Sequence, residues 1–491
     1  MSSPTSPKLI PDGLREAETA VYQKIIDTVT ALRKQNYVFP HVVAITDLGK
    51  DYDDLAAMIV LKELHRLGAI KLEGFVANLL PARKRAHLGR RALDLLGLPD
   101  IPVGEGTIGT EMNAQPQLYE FPRNVMGQEP YPSQRKGLEF LNELKAKAEK
   151  GRYKLTFCLI SSLQDIDEFE EFLRPKPSSQ PKPSSQPKPS SQPKPSSQPK
   201  PSSQPKPSSQ PKPSPKPHPL EQITAKVVLQ GAYKLENCPD RGPKGVQLKA
   251  EVIAANNGFN WQAAQHFHSF LDEQKVPSVV YTKTAAYDSY LRSSIFKDMA
   301  ETGQALGIAL QEIEGPQNTK FYEGSCKMVG GKPAPFMPGR DQQWFLSRRT
   351  HYFDTKDREL DPEKLPKGAE ILEYCKVIVY DALAAVGTLP EPILDALEVL
   401  EAPKYETQSV HNELHRVVGI MPKRNWESAT QDELDKAKSL KDEENPFKSP
   451  ASTTENMKTV LEALLMGAML DCKSRGIGHQ AGDQSGVKET K

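Results

Sequence analysis

Apolar, strand-like runs alternate with amphipathic helical segments along most of this chain, and this alternation limits its possible folds. The run HVVAITD is followed by DDLAAMIVLKELHRLG, and KLEGFVAN is followed by PARKRAHLGRRALDLLG. YKLTFCLI, AKVVLQGAY and VPSVVYT continue the series. Strands that alternate with helices form right-handed βαβ units. We therefore predict an α/β fold, a mainly parallel sheet with helices on both faces, whose ligands bind at the carboxyl ends of the strands.

A low-complexity segment interrupts this alternation. From Pro175 the unit PKPSSQ occurs six times in succession, and the proline-rich composition continues to Pro219. Proline opposes both helix and sheet, and the unit contains no apolar side chain that a core could bury. We predict that residues 175–219 are a disordered insertion between a helix and the next strand.

The segments on either side of the insertion are predicted to form one domain, made of residues 41–174 and 220–475. Before it, residues 1–40 contain apolar side chains at helical spacing, which predicts a leading helix packed on the domain. Residues 476–491 are predicted to be a disordered tail.

Composition excludes several classes of partner. The 491 residues carry a formal net charge of +1, so no global basic field indicates nucleic acid, and the basic run ARKRAHLGRR is interpreted as the solvated face of a helix. Five scattered cysteines without a CxxC pattern indicate reduced thiols. No signal peptide or run of about 18 apolar residues is found, so we expect a cytoplasmic protein without a membrane partner.

Four carboxylates crowd into the stretch TDLGKDYDDLAA, directly after the first predicted strand. They are Asp47, Asp51, Asp53 and Asp54. Like charges this close raise one another's pKa and need a compensating charge. Oxygen ligands without Cys or His favour Ca²⁺ or Mg²⁺. An EF-hand does not fit the spacing, and helix capping accounts for one or two aspartates but not for four.

DLGKDYDD resembles the aspartate-rich metal loop of the inosine-uridine preferring nucleoside hydrolases, in its DxGxDxDD variant. Further blocks are similar to that family in the same order: GFVANLL, LISSLQDI, VVLQGAY, NNGFNWQAA and VIVYDALAA. The resemblance extends from about residue 41 to residue 390. It implies a Rossmann-like nucleoside hydrolase domain that cleaves the N-glycosidic bond of ribonucleosides to base and ribose. Members of that family often form dimers, so the resemblance is compatible with a homo-oligomer.

The resemblance also implies roles for individual residues. A bound Ca²⁺ would be held by Asp47, Asp54, Asp381 and the main-chain carbonyl of Ile160. Asp47 would in addition act as general base and activate a metal-bound water. The substrate residues implied are Asp53, Asn78 and Asn256.

The chain departs from the family at two positions of the expected site. Tyr380 stands where the family often has a histidine that protonates the departing base, and tyrosine is a weaker acid near pH 7. Ala254 stands where a glutamate commonly contacts the sugar. These departures put leaving-group activation and one sugar contact in question.

Three functions therefore remain open from the sequence. The first is a Ca²⁺-dependent nucleoside hydrolase, with Asp47 as base and Tyr380 as the candidate proton donor. The second is a catalytically impaired relative that binds a nucleoside or ribose. The third is a Mg²⁺ phosphatase of the haloacid dehalogenase type, which would need a second aspartate where Gly49 stands. The preferred base and sugar cannot be read from the sequence.

Overall fold

The computed structural model describes most of the chain outside the proline-rich segment. The residues described are 8–109, 116–174, 218–238, 246–252, 254–329, 332–333, 335, 339–354, 365–399, 414–419 and 451–478. The predicted insertion, apart from His218 and Pro219, therefore lies outside the described residues, as does the predicted tail beyond residue 478.

An eight-stranded sheet, parallel at every pairing, forms the centre of the molecule. Its spatial order is β12-β9-β6-β5-β1-β2-β3-β4. The strands of this sheet are β1 (His41–Thr46), β2 (Lys71–Ala77), β3 (Val103–Glu105), β4 (Arg135–Lys136), β5 (Leu155–Leu159), β6 (Thr224–Gln230), β9 (Ser278–Tyr281) and β12 (His415–Val418). Two antiparallel ribbons stand apart from it and consist of β7 (Tyr233–Asn237) with β8 (Val246–Ala250), and β10 (Met328–Val329) with β11 (Lys332–Pro333).

Helices occupy the connections between the strands. They are α1 (Glu16–Lys34), α2 (Tyr52–Arg66), α3 (Ala82–Leu95), α4 (Arg123–Met126), α5 (Gly137–Gly151), α6 (Gln164–Leu173), α7 (Pro219–Ile223), α8 (Ala255–Gly258), α9 (Trp261–Glu273), α10 (Lys283–Asp288), α11 (Ile295–Glu301), α12 (Ala305–Ser325), α13 (Gln342–Arg349), α14 (Tyr380–Val386), α15 (Glu391–Ala396) and α16 (Ala451–Ser474). Short 3₁₀ turns cover Leu118–Glu120, Tyr352–Asp354 and Gly368–Glu373.

Each face of the sheet is covered by its own hydrophobic core. Along β1, Val42 and Ala44 join the core that contains α1, α2 and α16, whereas Val43 and Ile45 join the core that contains α5, α6 and α9. Successive side chains of a strand point to opposite faces, so a strand buried on both sides reads as a continuous apolar run. The predicted fold class, a mainly parallel sheet with helices on both faces, is confirmed.

The two described ends of the proline-rich segment meet at one carboxylate. Arg174, at the end of α6, donates from Nε to both carboxylate oxygens of Glu170, at 3.0 and 3.1 Å. The Nε2 atom of His218 lies 3.2 Å from Glu170 Oε1. The chain therefore leaves and re-enters the domain at neighbouring points, and α7 begins directly after re-entry, with Leu220 buried.

Among the helices of the described segments, none combines the length and apolar character needed to cross a bilayer.

We predict that replacing residues 175–217 with a short glycine-serine linker leaves the melting temperature almost unchanged. The removed segment has no apolar side chains to contribute to a core, and the two ends already meet at Glu170. Thermal unfolding followed by circular dichroism measures the effect.

The matched control extends the deletion through Ile223. This change removes α7 and the buried side chains of Leu220 and Ile223, each worth about 2–5 kcal/mol by analogy with truncations to alanine. The control should melt far earlier, and a comparable loss in the shorter deletion would contradict the prediction.

Candidate metal centre

The acidic loop begins where β1 ends and turns sharply into α2. Gly49 has a φ of +86°, and a Cβ atom there would lie 2.3 Å from the carbonyl oxygen of Glu120. Both the left-handed backbone and the close approach of this neighbouring loop require glycine. The turn is closed by a hydrogen bond of 3.0 Å from Lys50 N to Asp47 O.

Arg85 on α3 holds the acidic loop in place through hydrogen bonds. Its Nη1 atom donates to the carbonyl oxygens of Asp47 and Leu48 at 3.2 and 3.0 Å, and its Nη2 atom donates to Glu120 at 2.7 Å. The side chain is buried. The interpretation of the ARKRAHLGRR run as a solvated face is therefore wrong for Arg85, because the start of α3 lies under the loop.

Four aspartates converge at the start of α2. Their carboxylates offer oxygen atoms that all lie within 4.8 Å of one another, and they belong to Asp51, Asp53, Asp54 and Asp381. Asp381 comes from the first turn of α14, which packs against α2. Tyr52 of α2 contacts the segment that leads into α14, because its Oη atom accepts a hydrogen bond of 3.3 Å from Ile378 N.

Burial makes this convergence electrostatically unfavourable. Burial raises the pKa of Asp53, Asp54 and Asp381 well above the usual aspartate value. The neighbouring carboxylates raise these pKa values further. The charge of Asp381 raises the pKa of Asp53, and the charge of Asp47 raises the pKa of Asp54. The charge of Asp54 in turn raises the pKa of Asp381. Such groups need a cation or protons at neutral pH.

The donor set fits a hard divalent cation. All four side chains offer carboxylate oxygens, the ligands that Ca²⁺ and Mg²⁺ prefer. The Oδ1 atom of Asp53 is buried without a hydrogen-bond partner in the described part of the chain, which is the kind of atom a cation would satisfy. Asp54 is already oriented, since its Oδ1 atom accepts from Thr46 Oγ1 at 2.5 Å and from Asp47 N at 3.1 Å.

Asp47 lies beside this set of four and not within it. Its carboxyl is buried, and burial raises its pKa, while the nearby charges of Lys50 and Arg85 and a hydrogen bond with Ser161 oppose the increase. Asp47 is close enough to raise the pKa of both Asp54 and Asp381. Its predicted double role as ligand and base stays a prediction, and Asp51 is a candidate ligand that the resemblance did not supply.

Asn78 and Ile160 follow the strands on either side of β1. Asn78 N donates to Thr46 O and Ile160 N donates to Ile45 O, both at 2.9 Å. The side chain of Asn78 has three further partners: Oδ1 accepts from Ser161 at 2.6 Å, and Nδ2 donates to Asp165 at 2.8 Å and to the Ser162 carbonyl at 3.1 Å. Asn78 thus ties β2 to the turn after β5, and its contact with substrate stays a prediction.

Asn256 lies on the short helix α8. Its Nδ2 atom donates to Gln230 Oε1 at 2.8 Å and to the Gln230 carbonyl at 3.2 Å, at the carboxyl end of β6. Ala254, two residues before Asn256, is buried. Its Cβ atom lies 3.6 Å from the position that a Cβ atom would take at Gly231.

Tyr380 precedes Asp381 and is held by a buried cation. Arg349 Nη1 donates to Tyr380 Oη at 2.8 Å, and the guanidinium lies over the ring of Phe321, 4.7 Å from its centroid. Burial raises the pKa of Tyr380 well above the usual tyrosine value, and Tyr287, hydrogen-bonded to the same phenol, raises it further. Arg349 opposes this shift but does not remove it.

Searches against protein-family models and against curated proteins found no match. Among solved structures, the type III effector protein XopQ complexed with adenosine diphosphate ribose aligns with a TM-score of 0.62 and 17% identity, over 93% of this chain and 100% of that one. The effector protein XOO4466 aligns with a TM-score of 0.59 and 16% identity, over 93% and 99%. This chain has the fold of these two effectors.

A purine-preferring ribonucleoside hydrolase from Gardnerella vaginalis is a more distant neighbour. It aligns with a TM-score of 0.41 and 13% identity, over 86% of this chain and 99% of that one.

We predict that Ca²⁺ stabilises the protein and removes a pH dependence. Because the folded-state pKa of Asp53, Asp54 and Asp381 lies above the ordinary value of about 3.9, the folded state binds more protons than the unfolded state. In chelator, the melting temperature should therefore decrease as the pH rises above the unfolded-state pKa of about 3.9. Ca²⁺ at about 100 times its dissociation constant adds about 2.7 kcal/mol to the free energy of unfolding, which raises the melting temperature by several degrees. Bound Ca²⁺ should also make the melting temperature less dependent on pH.

Two variants make this measurement specific. In chelator, Asp381→Asn should have a higher melting temperature than the wild type, because one like charge is removed. Ca²⁺ should raise its melting temperature by less than it raises that of the wild type. Asp395→Asn changes an exposed carboxylate on α15 and should behave as the wild type. An unchanged Ca²⁺ response in Asp381→Asn would show that the ion binds elsewhere.

Proposed function

We propose that this chain is a Ca²⁺-dependent hydrolase of the N-glycosidic bond of ribonucleosides, a divergent relative of the inosine-uridine preferring nucleoside hydrolases. The observation that carries the proposal is the convergence of Asp51, Asp53, Asp54 and Asp381 at the edge of the sheet where Asp47 also lies. A cluster of this composition fits a cation that holds the two vicinal hydroxyls of a ribose. It leaves Asp47 beside the cation with a carboxylate that can take a proton.

The bound Ca²⁺ would supply charge that anchors the sugar and makes a nearby water more acidic. Asp47 accepts the proton of the attacking water, and the nearby charges of Lys50 and Arg85 favour its ionised form. Asn256 contributes to sugar binding through Oδ1, because its Nδ2 atom is engaged by Gln230. The sugar passes through an oxocarbenium-like transition state as the bond to the base breaks.

Two observations favour a second candidate, a protein that binds a riboside without turning it over. Tyr380 is held between Arg349 and Tyr287, so its phenol already has two partners within the protein. Ala254 removes a carboxylate from the sugar side of the site. The fold shared with XopQ, whose structure contains adenosine diphosphate ribose, is compatible with such a binding role.

We predict that Asp47→Asn abolishes base release. Loss of a general base typically reduces the rate by about 10²–10⁴-fold, and the neutral amide also removes one charge beside the cation. Reducing-sugar release from purine, pyrimidine and nicotinamide nucleosides, with and without chelator, measures turnover.

Asp395→Asn serves as the matched control for loss of a carboxylate, and it should retain wild-type turnover. Full activity in Asp47→Asn would reject the assignment of the base. Ribose binding by a wild-type protein that turns over none of the nucleosides would support the second candidate.

We predict that Tyr380→His raises turnover of inosine. A histidine at this position could protonate the departing purine, and general acid catalysis is worth about a hundredfold or more. Nitrophenyl riboside, whose leaving group needs no proton, should change little. Steady-state rates on both substrates, in the wild type and the variant, measure the effect.

Tyr380→Phe is the control, because it removes the phenol oxygen and keeps the ring. Equal effects of Tyr380→His on the two substrates would reject a missing proton donor at this position.

A further inference from the structure

A second group of metal-ligating side chains lies between α6 and α9, away from the aspartate cluster. Asp167 and Glu170 are one turn apart on α6, and with His266 of α9 they offer ligand atoms that all lie within 4.8 Å of one another. Both helices pack on the face of the sheet opposite to α2. This group therefore shares no residue and no supporting helix with the acidic loop.

A fourth side chain, His218, reaches the same carboxylate from the residue before α7. Its Nε2 atom lies 3.2 Å from Glu170 Oε1, and the Nε2 atom of His266 lies 3.9 Å from Glu170 Oε2. These separations bracket the roughly 3.3 Å between two ligands of a tetrahedral Zn²⁺ that binds each at about 2.0–2.1 Å. One ion could therefore contact both imidazoles and the carboxylate after small side-chain shifts.

The contacts of His266 fix the form of its ring. Its Nε2 atom contacts Nη2 of Arg174, and a guanidinium can only donate, so Nε2 carries the lone pair. The other ring nitrogen, Nδ1, then carries the proton and donates it to Asp167. A histidine that ligates a metal through Nε2 has the same arrangement, in which a carboxylate holds the second N–H group.

Arg174 already places positive charge where these lone pairs meet. Its Nε atom donates to both oxygens of Glu170 while its Nη2 atom contacts His266. The guanidinium thus contacts the atoms that a metal ion would contact. Half of the Arg174 side chain is exposed to solvent, so it can move away without opening the core.

The Nε2 atom of His218 is buried and makes no hydrogen bond with any described residue, although Glu170 is near. A buried polar atom of this kind requires a partner, and a metal ion would provide one. His218 Nδ1 accepts a hydrogen bond of 3.2 Å from Leu220 N. Ligation through Nε2 places the ring proton on Nδ1, so this hydrogen bond is exchanged for the bond to the metal.

Two imidazole nitrogens and one carboxylate are a donor set that suits Zn²⁺. Ca²⁺ and Mg²⁺ take oxygen ligands, as the aspartate cluster offers, so the two groups differ in the cation they favour. Three protein ligands leave the fourth position of a tetrahedral ion to water.

We infer that Glu170, His218 and His266 form a binding site for Zn²⁺, in which Asp167 holds His266 in its ligating form. Arg174 engages the same ligand atoms when no metal is bound. The ion joins α6 and α9 to the point where the chain re-enters the domain, and so closes the base of residues 175–217. This site is independent of the proposed hydrolase activity.

The test is calorimetric titration of Zn²⁺ into the full-length protein in excess Ca²⁺, which keeps the aspartate cluster filled. The wild type should bind Zn²⁺, and His218→Gln and His266→Gln should each weaken binding by at least about tenfold. Asp167→Asn should weaken it about 10–100-fold, as expected for the partner of a ligating histidine. Arg174→Gln should bind Zn²⁺ more tightly than the wild type, because the competing cation is removed.

His65→Gln is the matched control, because His65 is a partly exposed histidine on α2, on the other face of the sheet. It should bind Zn²⁺ as the wild type does. Equal affinity of the wild type and His266→Gln would show that Zn²⁺ binds elsewhere and would overturn the site. Arg174→Gln alters a half-exposed side chain, so it decides the matter even where a histidine variant fails to fold. No gain in its Zn²⁺ affinity would likewise overturn the site.

Discussion

Parallel pairing of β1 with both β2 and β5 is the constraint on which the candidate site depends. Thr46 pairs with Ala77, and Ile45 pairs with Leu159, so the three strands end almost level. Parallel strands place all their carboxyl ends at one edge of the sheet. The residues that follow these strands are therefore neighbours, and they are Asp47, Asn78 and Ile160.

Several buried carboxylates lie close together at this edge of the sheet, and their mutual repulsion is unfavourable. The fold compensates part of it with Arg85, which binds the loop carbonyls and Glu120 but no aspartate carboxylate of the cluster. A divalent cation held between the carboxylates of Asp51, Asp53, Asp54 and Asp381 would relieve the remaining repulsion among them. Binding of a cation there would therefore be coupled to folding, since the charges that destabilise the folded protein are the same charges that would attract the cation.

A second buried cation lies on the far side of the cluster. Arg349 is directed to the phenol of Tyr380 and to the ring of Phe321, with no carboxylate partner in the described residues. A guanidinium can only donate, so Tyr380 accepts this hydrogen bond. The position where the resembling family often has a histidine is thus built into a network of aromatic rings and one arginine.

Local sequence determined the parts of this protein that depend on neighbours in the chain. The period of the apolar residues predicted the strands and helices, and the position of Asp47 to Asp54 directly after β1 predicted a cluster of carboxylates that needs a compensating charge. Tertiary structure decided the rest. Asp381 joins the cluster only because α14 packs on α2, and Arg85 is buried only because α3 starts beneath the loop. The contact of the Lys50 ammonium with the Phe259 ring likewise depends on a residue about 200 positions away. A local pattern specifies which charges are present, but their partners are chosen by packing between distant elements, which no local pattern records.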